Sequence, residues 1–278
     1  MKPRVMSLVI FTCAVGFLTS NPNLKTFDAI IAITLVALGS GAAGCLNMWY
    51  EADVDALMTR TCLRPIPTGK INRQQALLFG IFLTIFSVGV LNYFTNFLSA
   101  FLLFFTIAFY LFVYTIWLKR KTPQNIVIGG IAGSLPPVIG WTISTNSISI
   151  VSMSLFLIIF FWTPSHFWAL SLYKADDYKK AKIPMMPITD GAEKTKLYIL
   201  IYSLLMLPVV ILPYAINFSG LIYIIPVMML TFYYNFICFD LYRYKKNKFD
   251  LKKAKKVFGY SILYLFLIFV LFLLDYLI

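Results

Sequence analysis

Charge is scarce in this chain: only 13% of its 278 residues are Asp, Glu, Lys or Arg, against 60% hydrophobic residues. An ordinary soluble domain carries roughly twice that share of charge, so a water-soluble globular fold is excluded. Histidine is nearly absent, with His166 the only one, which rules out a metal centre built on several imidazoles. The four cysteines (Cys13, Cys45, Cys62, Cys238) are scattered and form no CxxC pair. Neither a disulfide framework nor a zinc site follows from them, and they read as small packing residues.

What the chain has instead is long apolar runs. Nine of them read as membrane spans, near 5–20, 28–50, 75–92, 96–118, 124–143, 149–173, 197–214, 218–241 and 257–277. The expectation is an all-α, nine-helix polytopic membrane protein, with residues 1–278 as one integral-membrane domain. The first run has no small-residue cleavage site followed by a soluble domain, so it reads as a retained helix, not a signal peptide.

The net charge of +13 is a topology signal and not a nucleic-acid footprint. With nine spans, all of the 24 Lys and Arg except Lys25 fall on one side of the membrane. The positive-inside rule assigns that side, with the N-terminus, to the cytoplasm, in a bacterial cell membrane. All acids except Asp28 and Asp275 lie there too, so anionic substrates would be handled at the cytoplasmic face.

The acids cluster where apolar helices end. After the uncharged stretch Ala29–Leu46 comes Asn47-Met-Trp-Tyr-Glu51-Ala-Asp53-Val-Asp55. An ionised acid at bilayer depth costs about 2.5–3.5 kcal/mol on insertion scales, so a cluster needs a compensating partner. Asn47, Glu51 and Asp55 are spaced i, i+4, i+8 and share one helix face. Oxygen ligands of this kind suit Mg²⁺. Asp53 is about 160° from Asp55 on an ideal helix; either the helix unwinds there or Asp53 pairs with a basic loop residue.

A second cluster ends the sixth span, in Trp162-Thr-Pro-Ser-His166-Phe-Trp-Ala-Leu-Ser-Leu-Tyr173-Lys174-Ala-Asp176-Asp177. On a continuous helix His166, Tyr173 and Asp177 lie within about 40° of one another, with His166 roughly 16 Å deeper than Asp177. His166 suits either an interhelical hydrogen bond or contact with a bound substrate, haem iron included. Arg60, Arg64, Lys119 and Arg120 sit at the same level and suit phosphate oxygens. The fifth span is rich in Gly and Pro (Gly129, Gly130, Gly133, Pro136, Pro137, Gly140), which permits close approach of a neighbouring helix or a flat ligand.

Together these segments resemble the haem O synthase branch of the UbiA-type intramembrane prenyltransferases. The resemblance rests on the Asn47–Asp55 segment with Arg60 and Arg64-Pro65. It rests further on Lys119-Arg120-Lys-Thr-Pro-Gln-Asn125 with the Gly-Pro stretch to Trp141, and on Thr163-Pro-Ser-His166 with Lys174-Ala-Asp176-Asp177-Tyr178. Glu51 stands where that branch usually has aspartate, and Ser165 where it has a second proline. The resemblance implies transfer of the farnesyl group of farnesyl diphosphate to a vinyl group of haem B, giving haem O. It also implies Mg²⁺ held by Glu51, Asp55, Asp176 and Asp177, with Asp55, Asp177, Arg60 and Lys119 as the catalytic set. Asn47, Arg64, Arg120, Asn125, His166, Tyr173 and Lys174 would bind substrate. The implied partners are farnesyl diphosphate, haem B, the lipid bilayer and the downstream haem A synthase or cytochrome oxidase assembly. Two other readings stay open: a prenyltransferase acting on an aromatic quinone precursor, and a transporter. Against the transporter, no acid sits at mid-depth in any span.

Overall fold

The structure, a computed structural model, describes residues 3–244 and 251–278, with side chains from residue 6 onward. Met1, Lys2, the side chains of Pro3, Arg4 and Val5, and residues 245–250 lie outside the described residues. All elements among the described residues are helical: α1 (Pro3–Leu18), α2 (Thr26–Tyr50), α3 (Ala52–Leu57), α4 (Arg73–Phe94), α5 (Phe97–Ala108), a π-helical continuation (Phe109–Leu118), α6 (Asn125–Ser134), α7 (Pro136–Thr145), α8 (Ile150–Tyr173), α9 (Ala175–Lys180), α10 (Met186–Thr189), α11 (Ala192–Ala215), α12 (Leu221–Arg243) and α13 (Leu251–Leu277).

Eight of the nine expected spans are long and apolar enough to cross a membrane. The first is not. At 16 residues α1 is roughly 24 Å long, short of the ~30 Å hydrocarbon thickness. It is held by close backbone packing on α7. A Cβ on Gly16 would overlap the Pro137 carbonyl, and one on Gly140 would overlap the Cys13 carbonyl. Small residues let membrane helices approach in this way. Most of the glycine density in the fifth span is therefore packing: Gly129 seats the Tyr114 ring and Gly130 the Thr163 side chain. Gly133 alone of that group faces open space.

Helix starts follow local chemistry. Asn72 and Gln75 form a reciprocal capping box on α4, and Ser149 and Ser152 do the same on α8. Asp275, one of the two acids far from the motifs, accepts from the backbone N–H groups of Gly220 and Tyr223, capping α12. The outer faces are apolar and exposed, as with Phe79, Phe82 and Ile85 on α4, which suits contact with lipid. Inside there are two cores. One gathers α1, α2, α5 and α7; the other is dominated by α8, α11, α12 and α13. α2 and α8, the motif-bearing helices, lead the two halves and bring their charged ends to one face of the bundle.

Candidate active site

The first acidic segment begins on α2 and continues through a break. Glu51 leaves the helical region (φ −91°, ψ 15°), and α3 restarts at Ala52. The i,i+4 bonding nevertheless persists: Glu51 N–H donates to Asn47 O at 2.9 Å and Asp55 N–H to Glu51 O at 2.8 Å. Asn47, Glu51 and Asp55 accordingly stay on one face, all three buried. Asp53, within α3, points outward and forms a bidentate pair with Arg120 at 2.9 and 3.0 Å, so of the two alternatives posed for it the pairing with a basic residue is the one seen. Burial alone would raise the Asp53 carboxyl, but bonds from Arg120 and the backbone outweigh it and hold it below the ordinary carboxylate value.

Each buried acid is matched by a cation of the chain. Lys119 Nζ lies 2.5 and 2.6 Å from the two Glu51 oxygens. Arg64 reaches Asp55 Oδ2 at 2.7 Å. The Asn47 amide donates to Glu51 Oε2 and to Thr115 Oγ1, both at 3.0 Å, and so fixes the carboxylate in place. Thr115 lies in the π-helical stretch and Lys119 caps its end. There Thr115 Oγ1 donates to Tyr110 O, and Lys119 N–H to Tyr114 O, each five residues back. The wider turn sets both groups toward α2, in keeping with the occurrence of π-helix at functional sites.

The second acidic segment is not one continuous helix. α8 ends at Tyr173, Lys174 adopts φ −115°, ψ 20°, and α9 restarts at Ala175. His166 and Tyr173 do share a face, since the Phe258 ring packs against both. Asp177 lies beyond the break at Lys174, across which the i,i+4 bonding persists: Lys174 N–H donates to Leu170 O at 3.1 Å and Tyr178 N–H to Lys174 O at 3.3 Å. The Asp177 carboxylate accepts from the Thr59 hydroxyl, 2.8 and 2.9 Å from its two oxygens, with Lys174 Nζ at 3.9 Å. Thr59 thus joins the two half-sites across 118 residues of sequence. Asp176, expected beside Asp177, is exposed on α9. Arg60 is exposed, within electrostatic range of Tyr173, and carries no ion pair among the described residues. Asn125 is fully buried at the start of α6. Its amide NH₂ donates to Thr122 O at 2.5 Å, leaving Oδ1 as an acceptor without a partner.

Thr59 and Thr115 were missed in the sequence. Thr59 lies inside the motif stretch but has no charge, and Thr115 is a lone hydroxyl in an apolar span. The donor set is oxygen-rich and fits Mg²⁺ in kind. Among the described residues, however, no three acidic or imidazole groups already converge on one point.

A helical bundle of apolar spans with acids and bases interleaved at one end is that of an integral-membrane protein. The chain belongs to the UbiA prenyltransferase family, whose profile matches residues 8–262. It is 72% identical over 275 residues to the protoheme IX farnesyltransferase of Pelagibacter ubique HTCC1062, covering 99% of this chain and 91% of that one. It is 49% identical to the enzyme of the same name from Parvibaculum lavamentivorans, over 99% and 86% of the two chains. In fold it resembles a solved digeranylgeranylglyceryl phosphate synthase (TM-score 0.80, 18% identity, 97% and 93% covered). It also resembles a UbiA homologue from Archaeoglobus fulgidus bound to DMAPP and Mg²⁺ (TM-score 0.64, 19% identity, 96% and 98% covered).

Proposed function

We propose that the protein transfers the farnesyl group of farnesyl diphosphate to a vinyl group of haem B, giving haem O and diphosphate. The allylic C–O bond breaks and a C–C bond forms to the terminal vinyl carbon. Water then adds its oxygen to the inner vinyl carbon and releases a proton. The reading is carried by near-full-length identity to relatives of that name, on a chain whose two acidic half-sites meet through Thr59 and Asp177.

Glu51, Asp55 and Asp177 are the carboxylates that would hold Mg²⁺, with Asp176 entering only if α9 turns. Bound magnesium would neutralise the diphosphate as it leaves. Asn47 orients Glu51 from beneath. Arg60, unpaired and exposed, is the first cation available to an arriving diphosphate. Arg64, Lys119 and Lys174 line the same end and stabilise charge as it builds on the leaving oxygens. Arg120 is engaged with Asp53 and supports the site from its rim. Asn125 offers its unpartnered Oδ1 to a donor on substrate or water, and Tyr173 with His166 faces the haem. The apolar spans hold the farnesyl tail and keep bulk water from the allylic cation.

The charge distribution favours a bacterial inner membrane with the N-terminus and the site on the cytoplasmic side. The whole chain would act as one domain, passing haem O to a haem A synthase or to oxidase assembly. The test is prenyl transfer by purified protein with farnesyl diphosphate, haem B and Mg²⁺, read by product mass with EDTA as control. A metal-dependent hydroxyethylfarnesyl haem is expected. Transfer to an aromatic acid but not to haem would overturn the acceptor assignment, and transfer to neither would overturn the reading as a whole.

A further inference from the structure

At the charged end of α2 a cleft of about 330 Å³ opens between α2, α4 and the loop that joins α3 to α4. It lies on the opposite side of α2 from the candidate site: Cys45 and Met48 face the cleft, whereas Asn47 faces Thr115. The floor is Cys45 and Met48 on α2 with Ala76 on α4, all buried. Cys45 Sγ donates to Ala76 O at 3.3 Å, and these two short side chains leave the space between the helices. One turn further along α4 the helices touch, where a Cβ on Gly80 would come within 2.7 Å of Leu46 Cδ2. The roof is Pro65, Ile66 and Ile71 of the loop. That loop is closed on itself, since Ile71 N–H donates to Pro65 O at 3.2 Å and Gly69 N–H, at φ 73°, to Ile66 O at 3.0 Å. Phe79, at the mouth, belongs to the exposed apolar face of α4, so the cleft opens toward lipid.

The rim is basic. Lys70 directly precedes Ile71 and is exposed. Arg73 is exposed as well; its Nε–H donates to Trp49 O at 3.0 Å and its guanidinium lies 5.9 Å from the Trp49 ring centroid, which fixes it at the end of α2. Neither has a carboxylate partner among the described residues. The sequence holds no acid at all between Asp55 and Asp176. Trp49 and Tyr50, closing the uncharged span, are the residue types that sit at headgroup level. An apolar slot open to lipid, beneath two such cations at that level, is complementary to an amphiphile with an anionic head.

We propose that the cleft binds an anionic phospholipid of the surrounding leaflet, with one acyl chain lying between α2 and α4 and the phosphate held by Lys70 and Arg73. Basic pockets between membrane helices take lipid head groups in this way. The chain supplies the contacts that the apolar walls otherwise lack. The roof is continuous with Thr59, Arg60 and Arg64, so a lipid wedged beneath it braces the segment that joins the two half-sites. The site stands independently of the reaction assigned above.

For the test, full-length protein is reconstituted in vesicles of equal parts phosphatidylglycerol and phosphatidylcholine. A trace of one lipid or the other carries a diazirine in its acyl chain, and crosslinked residues are read by mass spectrometry. The phosphatidylglycerol probe is expected to label Met48 and Phe79 about tenfold more than the phosphatidylcholine probe. Lys70→Gln should cut that preference about fivefold, the weight of one basic residue at an anionic surface. Ala76→Leu, which fills the slot, should abolish labelling at both residues while leaving Phe86, on the outer face of α4, labelled as before. A preference at Phe79 no larger than at Phe86 would overturn the proposal, because the net charge of +13 would then account for it. Labelling indifferent to Lys70→Gln would also overturn it. So would displacement of the lipid by farnesyl diphosphate, which would make the slot a substrate site. Lys70→Gln alters an exposed side chain and keeps the test decisive even if Ala76→Leu fails to fold.

Discussion

Thr59 carries no charge, yet its hydroxyl bridges to the Asp177 carboxylate from the far half of the chain. A hydrogen bond to a charged group contributes about 1.5 kcal/mol or more, so Thr59→Val should lower farnesyl transfer roughly tenfold. Asp177→Asn, which removes a charge, should lower it roughly 10²–10³-fold, an effect checked by turnover on the same preparation. The Asp53–Arg120 pair supplies a pH prediction. Because the folded carboxyl is held below its ordinary value, its stabilising contribution is complete above the unfolded Asp pKa and is lost as pH falls through the lower folded value. Wild type should therefore be more heat-stable than Asp53→Asn at neutral pH, and the gap in unfolding midpoint should close in acid. A gap that persists in acid would show that ionisation of Asp53 is not its source. At this scale the charged residues of the candidate site were readable from spacing, because acids at the end of an apolar helix stand out. The two threonines were not, because a hydroxyl costs too little to bury to leave a pattern.

Hydropathy located the long helices, but three departures from regular α-helix decide where their side chains go. The breaks at Glu51 and Lys174 and the π-helical run Phe109–Leu118 have no signature in the apolar pattern. Helix-face arithmetic assumes a constant turn, and the i,i+4 bonds that sustain it persist across both Glu51 and Lys174. Deleting Val113 should return the π segment toward α-helical register and swing Lys119 away from Glu51. Transfer should then fall by roughly 10²-fold or more, if loss of that group is comparable to loss of one charge-stabilising donor, while the protein stays monodisperse. The α1–α7 contact gives the complementary case, a change that affects stability and not chemistry. A Cβ at Gly140 would sit on the Cys13 carbonyl, so Gly140→Ala should destabilise the bundle by about 1–3 kcal/mol, read as a lower unfolding midpoint.

Across the whole molecule, the placement of charge at one end of the bundle is what the composition most plainly foretold, and it predicts orientation. Cys13, Cys45 and Cys238 are buried, whereas Cys62 is partly exposed in the loop between α3 and α4, beside the acidic motif. A membrane-impermeant thiol reagent should therefore label Cys62 in inverted inner-membrane vesicles and leave intact spheroplasts unlabelled. The opposite pattern would invert the assigned topology.

The pairing of Glu51 with Lys119 and of Asp55 with Arg64 has a thermodynamic consequence. On the proposed reading, a magnesium ion arriving alone would have to compete with these two cations for the carboxylates, and a diphosphate arriving alone would have to compete with the carboxylates for the cations. If both arrived, the four groups would exchange partners and no charge would be stranded. Each ligand should raise the other's affinity by the same factor, as reciprocity of coupled binding requires. The protein would then be nearly indifferent to free magnesium and to metal-free diphosphate, and selective for the two together.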